Sequence, residues 1–287
     1  MKTGLVLEGG AMRGMFTAGV IDVLLENGIE LDGAIGVSAG AVFGCNYKSK
    51  QAGRVIRYNM RFARDKRYCS FRSLFKTGNL YGEKLCYHDI PEKLDVFDVD
   101  TYKNSPMEFY VVCTDVLTGK AVYKKCEEGV GDDIEWMRAS ASMPLVSTVV
   151  EVGGYKLLDG GVADSIPLKF FEGIGYEKNI VVLTQPNGYV KGKNKTLPIA
   201  EFVLRKYPKL IDALAKRHIV YNETLDYVRQ RETQGNCLVI RPESALEIGH
   251  IEHNSDNMKR VYEIGRQTAL RRLEEIKKFI KETMPKN

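Results

Sequence analysis

Short apolar runs and helix-like stretches alternate within the first 50 residues, and this alternation constrains the fold more than any other feature of the sequence. Residues 4–8 and 32–37 are typical of short buried strands, whereas residues 14–27 and 39–49 have the residue spacing of helices. Asn27-Gly28 is typical of a helix C-terminus. Such alternation is characteristic of a parallel α/β layer. We therefore predict a three-layer α/β/α fold with a largely parallel central sheet.

The rest of the chain continues this pattern. Further strands are predicted at 108–116 and 120–125, which form a hairpin, at 149–152 and 155–158, which flank a tight turn, and at 179–184 and 237–241. Further helices are predicted at 53–66, 131–142, 199–233 with an interruption near Pro208, and 257–283, with irregular structure and short helices at 68–105 and an exposed loop at 187–197. No linker or repeat divides the chain. We predict one domain over residues 1–287, with a core of about 3–185 and a helical extension with one further strand at about 190–287.

Composition and charge exclude several classes of protein. The net charge of +5 does not require nucleic acid as a partner, and no apolar run approaches the ~18 residues of a membrane span. The six cysteines lack zinc-site spacing, so we expect free thiols and no metal. Without a signal peptide, we predict a cytoplasmic protein. The basic amphipathic helix within residues 54–67 leaves open peripheral contact with the inner membrane surface, although its apolar residues fit a core position equally.

The sequence Gly36-Val37-Ser38-Ala39-Gly40 fits the nucleophile-elbow pattern Gly-x-Ser-x-Gly. In a chain of this composition such a match is expected by chance roughly 0.1 times. The predicted elements on either side of the motif are therefore stronger evidence for an elbow than the match itself. The motif follows a predicted strand and begins a predicted helix. Glycines there allow the two backbones to approach, and the helix N-terminus favours negative charge near the serine. We predict that Ser38 is the nucleophile of an ester hydrolase.

A glycine-rich loop, Gly9-Gly10-Ala11-Met12-Arg13-Gly14, follows the first strand. Its backbone N–H groups could hold the oxyanion of a tetrahedral intermediate, or they could bind a phosphate. The loop matches neither nucleotide-binding fingerprint. Arg13 could stabilise an anionic substrate group, or it could be a surface residue at a helix start.

A serine nucleophile needs a base, and the residues leave two arrangements open. Asp159, followed by Gly160-Gly161, ends a predicted strand at a turn. Alternatively, His250 or His253 follows the last core strand, where a hydrolase with a histidine triad would carry its base.

Taken together, the sequence resembles the bacterial patatin-like phospholipases. The matching segments are the glycine-rich loop Gly9 to Gly14, the elbow Gly36 to Gly40, the segment Ala139-Ser140-Ala141-Ser142-Met143-Pro144, and Asp159-Gly160-Gly161, all in the family's order. The resemblance covers about residues 3–185. Ala11 departs from it, because many members have a third glycine there. A methyl group is tolerable at that position unless the residue needs a positive φ.

The resemblance implies a lipid acyl hydrolase with a Ser38–Asp159 dyad and no histidine, metal or cofactor. Ser38 would attack the ester carbonyl of a phospholipid or lysophospholipid, and the N–H groups of the loop and of Ala39 would stabilise the oxyanion. A carboxylate is a weak base near pH 7 unless burial raises its pKa, so we expect Asp159 to be desolvated. The alternatives are an α/β-hydrolase with a histidine triad and a lipid- or phosphate-binding module without turnover.

Overall fold

The computed structural model describes residues 2–281, and the predicted strands and helices appear in it with small changes of boundary. Within these residues the strands are β1 (Lys2–Leu7), β2 (Gly33–Val37), β3 (Glu108–Asp115), β4 (Ala121–Lys125), β5 (Val150–Val152), β6 (Tyr155–Asp159), β7 (Tyr176–Val182) and β8 (Cys237–Ile240). The α-helices are α1 (Gly14–Glu26), α2 (Ala39–Lys48), α3 (Arg54–Phe62), α4 (Phe71–Thr77), α5 (Val99–Asn104), α6 (Asp132–Ser140), α7 (Leu168–Gly173), α8 (Leu197–Val203), α9 (Pro208–Thr233), α10 (Ser255–Arg271) and α11 (Leu273–Lys281).

The strands form one mixed sheet whose centre is parallel. The hydrogen-bonding order is β5-β6-β3-β2-β1-β7-β8, and β4 also pairs with β3. The five strands β3, β2, β1, β7 and β8 pair in parallel, whereas β4, β5 and β6 pair antiparallel. Because parallel strands end on the same edge of a sheet, the segments that follow β1 and β2 lie close together.

The sheet separates two apolar cores, as a three-layer fold requires. Along β1, Leu5 and Leu7 face the core formed with α1, α2 and α10, whereas Val6 faces the core formed with α7 and α9. This alternation follows from the two-residue period of a strand. The predicted fold class is confirmed.

The C-terminal third of the chain contributes to both faces of the sheet. Strand β8 extends the sheet beside β7, and Met258 and Val261 of α10 are buried in the same core as α1. The predicted terminal helix at 257–283 begins earlier, at Ser255, and is divided at Arg272 into α10 and α11. Residues 282–283 of that prediction lie outside the described residues.

Helix α3, which contains most of the basic stretch, packs into the protein. Val55, Tyr58 and Phe62 are buried in the core, and Arg57 donates two hydrogen bonds to the Asp95 carboxylate. These three apolar residues therefore belong to the core, whereas contact of this helix with a membrane stays a prediction. Among residues 2–281, no helix has the length and apolar character needed to cross a bilayer.

Candidate active site

Ser38 occupies a strained turn between β2 and α2. Its φ of 55° and ψ of −121° lie outside the regions that side chains favour, and Ala39 begins the helix directly after it. The two backbones pass very close together here. A Cβ atom on Gly36 would lie 2.2 Å from the Gly40 carbonyl oxygen, and one on Gly40 would lie 2.4 Å from the Leu7 oxygen. The turn therefore needs glycine at both flanking positions.

The register of β3 brings Asp159 to Ser38. Strand β2 pairs with β3 as far as Val37 opposite Val112, and β6 pairs with β3 from Asp159 opposite Cys113. Strand β4 pairs with residues of β3 that also pair with β2 and with β6. Strand β4 therefore lies along one edge of β3, and β2 and β6 lie one after the other along the opposite edge. Asp159 consequently occupies the next position along that edge after Val37. Ser38 and Asp159 become neighbours although 121 residues separate them.

The two side chains form a direct hydrogen bond. Ser38 Oγ donates to Asp159 Oδ2 over 2.7 Å, and the Gly161 amide donates to Asp159 Oδ1 over 2.7 Å. Asp159 is buried, and burial raises its pKa, although the hydrogen bond from Ser38, the charge of Arg217 and the Gly161 amide each oppose this rise. The desolvation expected for a carboxylate base is therefore present.

Ser140 connects the elbow to β3. Its hydroxyl accepts a hydrogen bond from the Ser38 amide over 2.9 Å and donates one to the Val112 carbonyl over 2.6 Å. The side chain is fully buried at the C-terminal end of α6. The sequence motif Ala139–Pro144 includes Ser140 but indicates no role for it. Membership of that motif is the only signal of this residue in the sequence.

The glycine-rich loop lies against Ser38, and only some of its amides are free to bind a ligand. A Cβ atom on Gly9 would lie 3.1 Å from the Cβ of Ser38. The Arg13 amide donates to the Gly10 carbonyl, and the Gly14 amide donates to carbonyls within the same turn. Among the described residues, no acceptor is found for the amides of Gly9, Gly10, Ala11 or Met12, nor for that of Ala39 at the start of α2.

Ala11 itself has a φ of 47°, in the left-handed region that favours glycine. The departure from the family pattern therefore falls at a position where glycine would be unstrained.

Neither candidate triad histidine is hydrogen-bonded to Ser38. The His253 ring lies 2.7 Å from the Ala63 carbonyl oxygen, through Nδ1. Partial desolvation of the His250 ring, together with the nearby charges of Arg13 and Arg217, lowers the pKa of His250. The structure thus brings together Ser38 and Asp159 but not Ser38 and either histidine.

An apolar cavity opens beside Ser38. Besides Ser38, Ala11, Met12 and Ala39, its walls are largely aromatic, aliphatic and thioether side chains, among them Phe43, Tyr58, Tyr68, Tyr81, Phe97 and Met137. The loop and the elbow therefore border a cavity that suits an apolar chain.

All six cysteines are free thiols, as predicted. Within residues 2–281, no group of three His, Cys, Asp or Glu side chains lies close enough together to hold a metal ion.

Fold and site together define an α/β protein with a serine–aspartate pair at a nucleophile elbow. The model of the patatin-like phospholipase family matches residues 5–171, and the chain belongs to that family. A second family model, a domain of unknown function (DUF6363), matches residues 207–281, which contain α9, β8, α10 and α11.

Curated relatives match large parts of the chain. An uncharacterized NTE family protein of Mycobacterium tuberculosis is 30% identical over 189 residues, covering 63% of this chain and 48% of its own. Lysophospholipase nte1 of Aspergillus terreus is 25% identical over 307 residues, covering 96% of this chain and 18% of its own. This chain thus spans about half the length of the mycobacterial relative. Among solved structures, VipD from Legionella pneumophila has a TM-score of 0.49 at 12% identity, covering 96% of this chain and 67% of its own.

Proposed function

We propose that this protein is a serine lipid acyl hydrolase that uses Ser38 as nucleophile and Asp159 as base. The 2.7 Å hydrogen bond from Ser38 Oγ to Asp159 Oδ2, beside an apolar cavity that Ser38 lines, is the observation that carries the proposal. The substrate class, a phospholipid or lysophospholipid ester, is drawn from the family and from the fungal relative, a lysophospholipase.

In the first half-reaction, Ser38 Oγ attacks the ester carbonyl carbon while its proton passes to Asp159 Oδ2. The tetrahedral oxyanion accepts hydrogen bonds from the unpartnered amides of the loop and of Ala39. The intermediate then collapses, the bond to the alcohol oxygen breaks, and Asp159 returns the proton to that oxygen. An acyl ester on Ser38 remains.

In the second half-reaction, water takes the place of the alcohol. Asp159 accepts a proton from the water as the oxygen attacks the acyl carbon, and the Ser38 Oγ bond to that carbon then breaks. The proton returns to Ser38 and the fatty acid leaves. The raised pKa of Asp159 makes the carboxylate a stronger base than an exposed aspartate, which suits both proton transfers.

The assignment as a hydrolase is tested by covalent labelling and turnover. A fluorophosphonate probe should label Ser38, and hydrolysis of p-nitrophenyl butyrate should be lost in Ser38→Ala. Ser142→Ala is the matched control, since Ser142 is a buried serine whose hydroxyl donates to a backbone carbonyl. Labelling at another serine would refute the nucleophile assignment, and a protein without turnover or labelling would be the binding module instead.

The dyad is tested separately from the nucleophile. Asp159→Asn keeps the shape of the side chain and should abolish turnover, whereas His250→Ala and His253→Ala should retain most of it. The opposite result, with turnover dependent on a histidine, would favour the histidine-triad alternative.

We further propose that α4 contacts the lipid surface from which substrate is taken. Phe71 and Phe75 lie one helical turn apart and are 66% and 89% exposed, and Arg72 and Lys76 add positive charge beside them. Tyr81, which lines the cavity, follows α4 closely in the chain. Exposed aromatic and basic residues on one short helix suit the interface of an anionic bilayer.

A further inference from the structure

Three cations collect beside the dyad, outside the lining of the apolar cavity. Arg13 comes from the glycine-rich loop, Lys191 from the segment after β7, and Arg217 from α9; we call these three residues the cationic cluster. Each is half-buried. Two of the three lie in the C-terminal part of the chain, where no sequence motif predicts a functional residue.

Lys191 is held against α9, although it lies in a segment predicted to be an exposed loop. Its backbone N–H donates to the Asn222 side chain over 2.8 Å, and its carbonyl accepts from the same side chain over 3.1 Å. Its Nζ lies 4.6 Å from the centre of the Tyr221 ring. The backbone hydrogen bonds and the aromatic ring together define where this ammonium group lies.

A chain of hydrogen bonds joins Lys191's neighbour Tyr221 to Arg13. The Tyr221 hydroxyl donates to one oxygen of the buried Glu8 carboxylate, and the other oxygen accepts from Thr184 Oγ1 over 3.0 Å. Arg13 Nε donates to the same Thr184 Oγ1 over 3.3 Å. Arg13 and Lys191 therefore flank one buried network directly behind the glycine-rich loop.

Arg217 completes the cluster on the side of the base. It precedes Tyr221 by one helical turn, so both side chains lie on the same face of α9. Its Nε donates to the Gly161 carbonyl, and the Gly161 amide donates to Asp159. The guanidinium group is consequently next to the dyad.

The cluster has more positive charge than its surroundings neutralise. Of the ion pairs in the described part of the chain, none includes Arg13, Lys191 or Arg217. Burial and the charge of Arg217 lower the pKa of Lys191 to about 8, and Glu8 opposes this only in part. Crowding like charges is unfavourable, and a bound anion would relieve it.

We propose that the cationic cluster binds the phosphate of an acyl glycerophosphate whose acyl chain enters the apolar cavity. This inference rests on the proposed function of Ser38 and adds the class of head group. Three cations from separate segments can surround a phosphate dianion, and Arg guanidinium groups and a Lys ammonium group are common phosphate ligands. The ester bond would then lie between the two anchoring points, at Ser38.

Binding to the inactive Ser38→Ala variant tests this without requiring turnover. In neutral detergent micelles, calorimetry should show a 1-acylglycerol 3-phosphate binding at least tenfold more tightly than the 1-acylglycerol with the same chain. In the same Ser38→Ala background, Lys191→Met should lower the ratio of the two affinities about tenfold. Lys193→Met, which changes an exposed lysine of the same loop, should leave that ratio unchanged. Equal affinities, or a preference insensitive to Lys191→Met, would overturn the inference. Glycerol 3-phosphate and inorganic phosphate, used as competitors, separate binding of a lipid head group from binding of free phosphate.

The pH dependence of turnover provides a second readout. Between pH 7 and 9.5 the wild-type preference in kcat/KM for the phosphate-bearing ester should decline as Lys191 loses its proton near pH 8. The groups around it are Arg13, Arg217, His250, Glu8 and Tyr221. The pKa of His250 is lowered and that of Tyr221 is raised, so both side chains stay neutral over this range. Lys191→Arg should remove the decline. If the wild-type preference did not change between pH 7 and 9.5, Lys191 would not be a phosphate ligand. Absence of any ester turnover would instead count against the proposed hydrolase activity.

Discussion

Removal of the Ser140 hydroxyl should destabilise the fold and the elbow together. In Ser140→Ala the Ser38 amide loses its 2.9 Å acceptor and the Val112 carbonyl loses its 2.6 Å donor, both in the buried interior. A buried polar group without a partner costs about 1–3 kcal/mol. We expect the free energy of unfolding to fall by roughly 2–6 kcal/mol in total, about 1–3 kcal/mol for each of the two groups.

Urea unfolding at pH 7 measures this loss directly, with an unchanged dependence on urea concentration as the sign that only stability has changed. The matching decrease in Tm is roughly 3–10 °C for a chain of this size. Because Ser140 holds the strained Ser38 turn, turnover of p-nitrophenyl butyrate at a temperature where the variant is folded should fall about tenfold.

Ser142→Ala is the matched control for this measurement. It removes a hydroxyl only two residues away, whose bond to the Arg138 carbonyl over 2.8 Å lies within a single helical turn. We expect a cost below about 1 kcal/mol for that variant. If Ser140→Ala were no less stable than Ser142→Ala, the bridge between elbow and β3 would not have the role assigned to it.

Three further predictions concern the base, the loop and the membrane face. Because the pKa of Asp159 is raised in the folded protein, its stabilising contribution is present at low pH and is lost as pH rises through the folded-state value. Asp159→Asn should therefore be more stable than the wild type at pH 7, and by a smaller margin as pH is lowered; an equal margin at all pH values would contradict this. Ala11→Gly should raise the free energy of unfolding by about 0.5–1 kcal/mol in urea titrations, because the φ of 47° suits glycine; a loss of stability would show that this position is not strained. Phe71→Ser with Phe75→Ser should weaken co-sedimentation with phosphatidylglycerol vesicles several-fold, whereas Leu117→Ser, 58% exposed in the β3–β4 hairpin, should not; equal effects would exclude α4 as the contact.

Local sequence determined the elements around the nucleophile. The periodicity of the first 50 residues predicts β1, α1, β2 and α2 to within a few residues, because apolar spacing is a property of neighbours in the chain. Gly36 and Gly40 likewise predict a close approach of backbones, which the structure contains. The family motifs, which are also local, are enough to single out Ser38 and Asp159.

The tertiary structure decided the strand order and the surroundings of α3, which periodicity along the chain could not predict. Ser38 and Asp159 meet because β2 and β6 occupy successive stretches of one edge of β3, and strand order depends on packing between distant segments. Val55, Tyr58 and Phe62 of α3 could equally have faced a membrane or a core, and only the packed chain placed them in the core.

Packing between distant segments also explains why the sequence did not reveal some residues around the site. Lys191 and Arg217 carry no local signal of function, and Ser140 carries only its place in the motif Ala139–Pro144, since each acts through neighbours far away in the chain. The sequence by itself thus determined which residues form the elbow and its loop. Only the folded sheet and α9 decided which side chains surround Ser38, because those contacts depend on how separate elements pack.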